Sequence, residues 1–110
     1  MNKTALYKGC LEPILLKLLK EQGRMYGYEI TQKVKELTAG ALKITEGALY
    51  PLLHRLEAEG VLEVQTEHIG SRIRKYYSLT ETGKKEQARS ITELEAFKNT
   101  LQLIFNPKLA

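Results

Sequence analysis

The stretch TEGALYPLLHRLEAEG, residues Thr45 to Gly60, decides how the rest of the 110-residue chain is interpreted. Its leucines recur at the spacing of one buried helix face, and Thr45 is a favoured N-cap residue. On a helical wheel the opposite face is small near the N-terminus and polar further along: Gly47, Pro51, His54 and Ala58, flanked by Tyr50 and Arg55. Small residues let a backbone approach closely, and a helix N-terminus attracts phosphate, so this face suits a nucleic acid. Taken alone, however, the stretch is more typical of a core helix with a solvated back.

Two shorter amphipathic helices are predicted before this stretch. The first extends from Cys10 to Gln22, and Gly23 ends it. The second covers YGYEITQKVKEL, residues 26–37, with a buried face marked by three apolar residues: Ile30, Val34 and Leu37. Three helices in close succession are the framework of a helix-turn-helix unit, in which the recognition helix would be residues 45–60.

The hydrophobic period changes from helical to alternating after Gly60. VLEVQTEH and RIRKYYSL, residues 61–68 and 72–79, are rich in β-branched and aromatic residues and predict two strands of a hairpin. Residues 69–71 would form its tip. By alternation Ile73 and Tyr77 face the core, whereas Tyr76 lies on the surface. The return strand carries three cations in four residues, which can contact phosphates: Arg72, Arg74 and Lys75. Such a run also occurs on a merely solvated strand edge.

A last helix is predicted from Thr80 to Pro107, with apolar residues at intervals of three and four. These residues are Ala88, Ile91, Leu94, Phe97, Leu101, Ile104 and Phe105. The stripe either folds back on its own domain or is buried against a second copy of the chain, and the second interpretation is favoured because monomers rarely expose so large an apolar patch. The predicted fold is therefore mainly α with a small β-hairpin: a winged helix-turn-helix domain, residues 1–80, and a dimerisation helix, residues 81–110.

Composition limits the possible functions. The net charge of +4 is compatible with a polyanionic partner, and a single cysteine, Cys10, excludes an intramolecular disulfide. Two separated histidines, His54 and His68, give no familiar metal spacing, so neither a metal nor another cofactor is expected. No membrane span or signal peptide is visible, which indicates a cytoplasmic protein. No catalytic Ser/His/Asp set or phosphate-binding glycine loop is found, so no enzymatic activity is expected.

Three segments resemble the PadR-like transcriptional regulators: GYEI at 27–30, GALYPLLHRLEAEGVL at 47–62 and RKYYSLTETG at 74–83. The resemblance covers roughly residues 9–83. It implies a homodimeric winged-helix protein, usually a repressor, bound to a pseudo-palindromic operator in double-stranded DNA. By position it assigns to the DNA-facing surface Tyr28, Thr45, Gly47, Tyr50, Pro51 and His54, with Arg72, Arg74 and Lys75 as the basic wing. We add Lys43, just before the recognition helix, and Arg55, at the edge of its polar face.

The single C-terminal helix resembles that of the short-tailed members of this family. In that group the last helix and the first form the dimer interface, which implies dimer contacts from Leu11, Ile14, Ile91, Leu94, Phe97, Leu101, Ile104 and Phe105. Some short-tailed members bind flat hydrophobic compounds between subunits, and this chain departs from them in having no tryptophan. A rival interpretation is a winged helix that binds another protein rather than DNA, because fold alone does not determine function.

Overall fold

Helices, strands and their order along the chain are given by the computed structural model, which describes residues 7–106 and 108. After a 3-10 turn at Lys8–Cys10, the elements are α1 (Leu11–Gln22), β1 (Arg24–Tyr26), α2 (Gly27–Leu37), α3 (Glu46–Ala58), β2 (Leu62–Ile69), β3 (Arg72–Leu79) and α4 (Glu81–Phe105). The predicted fold class is confirmed. Pro107, the predicted end of the last helix, lies outside the described residues. No helix in the described ranges is long and apolar enough to cross a membrane.

The sheet has three antiparallel strands in the order β1-β3-β2, so the prediction of a hairpin alone was incomplete. Strand β1 pairs with β3 through Met25 opposite Tyr77, and Tyr26, predicted as helical, is the last residue of that strand. Three residues are too few to show an alternating pattern, which is why the sequence did not indicate β1. The hairpin tip is narrower than predicted, because Ile69 is paired with Arg72 and belongs to β2.

The core lies between α1, α3 and the inner face of the sheet. Leu49, Leu53, Leu56 and Tyr77 are almost completely buried, as predicted, while Leu52 is half-buried. Two predictions of core residues were wrong: Leu37 and Ile73 are each 64% exposed. Leu37 is the last residue of α2, and Ile73 is near the tip of the hairpin, where the strands extend beyond the core.

The connection between α2 and α3 is a fixed turn with its own core residues. The Thr38 hydroxyl donates to the Val34 carbonyl at 2.8 Å and accepts from the Leu42 backbone N–H at 3.0 Å. Leu42 and Ile44 are buried, although the sequence pattern did not identify them. Because the turn is held at both ends, the angle between α2 and the recognition helix is set by the chain itself.

The junction between β3 and α4 is held by Thr80. Its hydroxyl caps α4 by accepting from the Gly83 N–H at 3.0 Å, and it donates to the Gly60 carbonyl at 2.5 Å. The Thr80 backbone N–H donates to the Val61 carbonyl at 3.1 Å. Gly83 lies directly against that carbonyl, and a Cβ there would come closer than the 3.0 Å that real Cβ atoms respect. The N-terminus of α4 is therefore fastened to the turn that follows α3.

Candidate nucleic-acid interface

An open groove of about 530 Å³ separates α3 from the basic strand β3. The groove brings together two sets of residues that the sequence predicted separately. Its walls are formed by Tyr50 and His54 of α3, by Arg72, Ile73, Arg74, Lys75 and Tyr77 of β3, and by Tyr26 and Gly27 at the start of α2.

The outer face of α3 is uncovered along its length. Gly47, Pro51 and His54 are exposed, whereas the leucines of the same helix face the core. The Thr45 hydroxyl accepts from the Ala48 N–H at 3.2 Å and so caps the helix, although a proline is present at its sixth residue. The face predicted from the helical wheel is thus available to a partner.

Two further residues predicted to contact DNA lie on neighbouring segments. Lys43 is exposed in the connection before α3, and the Tyr28 side chain on α2 is 59% exposed. On the wing, Arg72 and Lys75 are exposed and Arg74 is half-buried. Lys43, Arg72 and Lys75 are therefore accessible for phosphate contacts.

Tyr50 combines a place in the groove with packing against the core. Its side chain is half-buried, and its hydroxyl lies where a Cβ on Gly27 would be only 2.5 Å away. Gly27 therefore makes room for the Tyr50 ring at the N-terminus of α2. Gly27 belongs to the GYEI segment, but its role in shaping the site could not be predicted from the sequence.

Arg55 differs from the other predicted DNA-contacting cations because carboxylates surround it. Its guanidinium lies 2.8 Å from the carboxylate of Glu12 on α1 and 3.1 Å from that of Glu59. The hydrogen bond with Glu12 is the main cause of a raised pKa at Arg55, so the charge is retained and paired. Arg55 thus links α1 to α3 in the free protein.

Four side chains alternate across the outer face of the sheet and are here named the Arg–Tyr stack: Arg24, Tyr76, Tyr26 and Arg74. The Arg74 guanidinium lies 4.0 Å from the centre of the Tyr26 ring, and that of Arg24 lies 4.1 Å from the centre of the Tyr76 ring. The two rings meet edge to face at 5.6 Å. Tyr76 is half-buried in this stack rather than free on the wing surface as predicted.

The residues predicted to form a dimer interface divide into two groups. Leu11 and Ile14 are half-buried against the core of their own chain, and Ile91 and Leu94 on α4 are also half-buried. Beyond them the second half of α4 is uncovered. Its exposed apolar side chains are Phe97, Leu101, Leu103, Ile104 and Phe105.

Residues 15–89 match the model of the transcriptional regulator PadR-like family. The chain belongs to this family. It is 33% identical over 105 residues to an uncharacterized protein of Lysinibacillus sphaericus, a match that covers 94% of each chain. The resemblance inferred from the three sequence segments is thereby confirmed.

Two solved structures extend this relationship to three dimensions. A transcriptional regulator from Clostridium thermocellum superimposes with a TM-score of 0.82 at 31% identity, covering 89% of this chain and 95% of the other. Bacillus subtilis PadR, solved in complex with operator DNA, superimposes with a TM-score of 0.68 at 31% identity. That match covers 74% of this chain but only 45% of PadR, so a large part of PadR lies outside the match.

Proposed function

We propose that this regulator acts as a homodimeric repressor that binds a pseudo-palindromic operator in double-stranded DNA. The observation that carries the proposal is the groove in which Tyr50 and His54 of α3 lie together with the cations of β3. Support also comes from membership of the PadR-like family and from the similarity to a PadR protein solved with operator DNA. Residues 1–80 would bind DNA, and residues 81–110 would form the dimer.

The shape of this surface suggests how DNA would be bound. In helix-turn-helix proteins the second helix of the motif enters the major groove, which here is α3. The small side chains of Gly47 and Pro51 allow that helix to approach the base edges closely, and His54 and Tyr28 extend the contact on either side. The sugar-phosphate backbone beside the major groove would then lie between α3 and β3, within reach of Arg72 and Lys75.

Arg55 contributes to this surface in a different way from the wing cations. Since Glu12 and Glu59 already neutralise its charge, a phosphate contact would require these ion pairs to break. We therefore assign Arg55 to holding α3 on α1, and we assign the phosphate contacts to Lys43 and the cations of β3.

The exposed half of α4 supports the dimer. Ile104 and Phe105 are 65% and 81% exposed, and they continue an apolar stripe that a second copy of the same helix would cover. Such an interface has twofold symmetry, and it would place two recognition helices roughly one DNA turn apart, about 34 Å. Occupation of a promoter by this dimer would exclude other proteins from it.

A hydrophobic effector is the further partner that this dimer could accommodate. A groove of about 380 Å³ lies between the N-terminus of α1 and α4, with Pro13, Leu94 and Phe97 among its lining residues. A compound bound there would change DNA affinity only by preferring one arrangement of the two winged domains over another. DNA binding, dimer formation and any effector binding would take place in the cytoplasm.

The test is binding of the purified protein to DNA from upstream of its own gene, titrated over a range of salt concentrations. With Lys43 and the three wing cations of each protomer on phosphates, the logarithm of the association constant should fall with the logarithm of salt concentration with a slope of about −7. Binding tighter than to random DNA, with protection of two inverted half-sites, is the expected result. A DNA affinity that does not change with salt concentration, or no preference for any genomic sequence, would instead favour the interpretation that the winged helix binds a protein.

A further inference from the structure

The Arg–Tyr stack connects the binding groove to the far edge of the sheet. Arg74, at one end, lines the groove. Arg24, at the other end, lies 2.7 Å from the Glu67 carboxylate and donates to the Gln65 side-chain carbonyl at 3.4 Å, both on β2. The stack therefore contains side chains from β1 and β3 and is anchored to β2, so all three strands contribute to the position of one cation.

The stacked geometry leaves Arg74 free to bind a phosphate. A ring contacts the flat face of a guanidinium, whereas phosphate oxygens are bound by the N–H groups at its edge. The Arg74 Nη1 group also lies 3.5 Å from the Tyr76 hydroxyl, which limits rotation of the head group. An arginine held in this way has already lost much of the rotamer freedom that an unrestrained side chain would lose on binding.

We propose that Tyr26 is a positioning residue for DNA binding, acting through its stacking contact with Arg74. The inference rests on the proposed function, because it assumes that Arg74 contacts a phosphate. Tyr76 meets the Tyr26 ring edge to face, and Arg24 in turn stacks on the Tyr76 ring. The opposite possibility, that the stack withholds Arg74 from DNA, predicts the reverse sign in the same experiment.

A double-mutant cycle in DNA affinity separates positioning from general stabilisation. We compare wild type, Tyr26→Leu, Arg74→Gln and the double variant, with Tyr26→Phe as the control that keeps the ring. Tyr26→Leu should weaken binding about two- to fivefold per protomer, the range of a cation–π contact at an exposed site, and about 4- to 25-fold for a dimer. Tyr26→Phe should bind like wild type, and Tyr26→Leu should have no further effect once Arg74 is Gln.

Each result has a defined meaning. An equal loss from Tyr26→Leu in both backgrounds, or tighter binding by Tyr26→Leu, would overturn the inference while leaving the proposed function intact. Absence of salt-dependent binding by the wild-type protein would overturn both. If Tyr26→Leu does not fold, the exposed Arg24 at the outer end of the stack can be replaced instead. Arg24→Gln should reduce DNA affinity by a smaller factor, and this reduction should also disappear in the Arg74→Gln background. A loss that persists there would contradict the inference.

Discussion

Replacement of Gly83 by alanine is expected to loosen the joint between the winged domain and α4. The new Cβ would press on the Val61 carbonyl oxygen and would lie 3.1 Å from its carbon and 3.3 Å from the Leu79 side chain. The carbonyl cannot move away easily, because it accepts from the Thr80 backbone N–H at 3.1 Å, and the Thr80 hydroxyl that donates to the Gly60 carbonyl also lies 3.1 Å from it. Relief of the clash therefore requires strain or the loss of hydrogen bonds at the cap.

Three contributions determine how much unfolding free energy the Gly83→Ala variant loses. Overpacking in a tight site costs about 1–3 kcal/mol, and each weakened hydrogen bond costs about 1 kcal/mol more. The higher helix propensity of alanine offsets up to about 1 kcal/mol of this loss in unfolding free energy. The Gly83→Ala variant should therefore lose about 2–4 kcal/mol of unfolding free energy and remain folded, because domains of this size commonly have about 5–15 kcal/mol.

Urea unfolding followed by circular dichroism measures the loss, at one protein concentration because the proposed dimerisation would also add to apparent stability. Gly47 provides the matched control, since it is also in the first turn of a helix and its Cβ would meet only the Thr45 hydroxyl oxygen, at 3.9 Å. Gly47→Ala should unfold at the same urea concentration as wild type or a higher one, yet bind DNA more weakly because it thickens the face of α3. Equal stability of the Gly83→Ala and Gly47→Ala variants would refute this account of the joint.

Three further expectations concern charges and the apolar end of α4. Lys75→Ala should reduce the magnitude of the salt slope of DNA binding by about 2 for a dimer. Arg55→Ala should leave that slope unchanged but lower the thermal stability. Equal slopes for the two variants would contradict the roles assigned to Lys75 and Arg55. The Arg89 guanidinium lowers the pKa of Glu86 below its usual 4.5, so this ion pair should stabilise the protein above pH 4.5 and be lost as the pH falls further. The Glu86→Gln variant should therefore lose less thermal stability on acidification than wild type. An unchanged dependence of the unfolding temperature on pH would count against the pairing. Ile104→Asp should convert dimers to folded monomers, because twofold symmetry brings two copies of the new charge into one interface. Analytical ultracentrifugation measures this change, and a dimer of unchanged affinity would place the interface elsewhere.

The helices were predictable because the information that specifies them is local. Repeated leucines and the Thr45 cap lie within a single segment, and the structure places α3 within two residues of the predicted bounds. The same holds for α4, whose N-cap and apolar period are continuous in the sequence. A local pattern of this kind also identified which face of α3 is exposed.

Interactions between distant residues were not predictable in the same way. Tyr26 and Arg74 are far apart along the chain, and only the pairing of β1 with β3 brings them together. The helical wheel puts Arg55 at the edge of the exposed face of α3, but it does not show Glu12, which the packing of α1 brings to the Arg55 guanidinium. Tyr50 likewise could not be distinguished as a partly buried residue until the space left by Gly27 was known.

The fastening of α4 at Thr80 has a mechanical consequence for the proposed dimer. At about 1.5 Å per residue, the 25-residue helix is about 37 Å long. A rotation of about 5° at its N-terminus would displace the far end by roughly 3 Å, close to the 3.4 Å rise of one base pair. The tightness of the Gly83 contact would therefore determine how stiff this joint is, and with it whether the dimer accepts one spacing between half-sites or a range of spacings. In the rigid case, insertion of a single base pair between the half-sites would be enough to prevent both recognition helices from binding together.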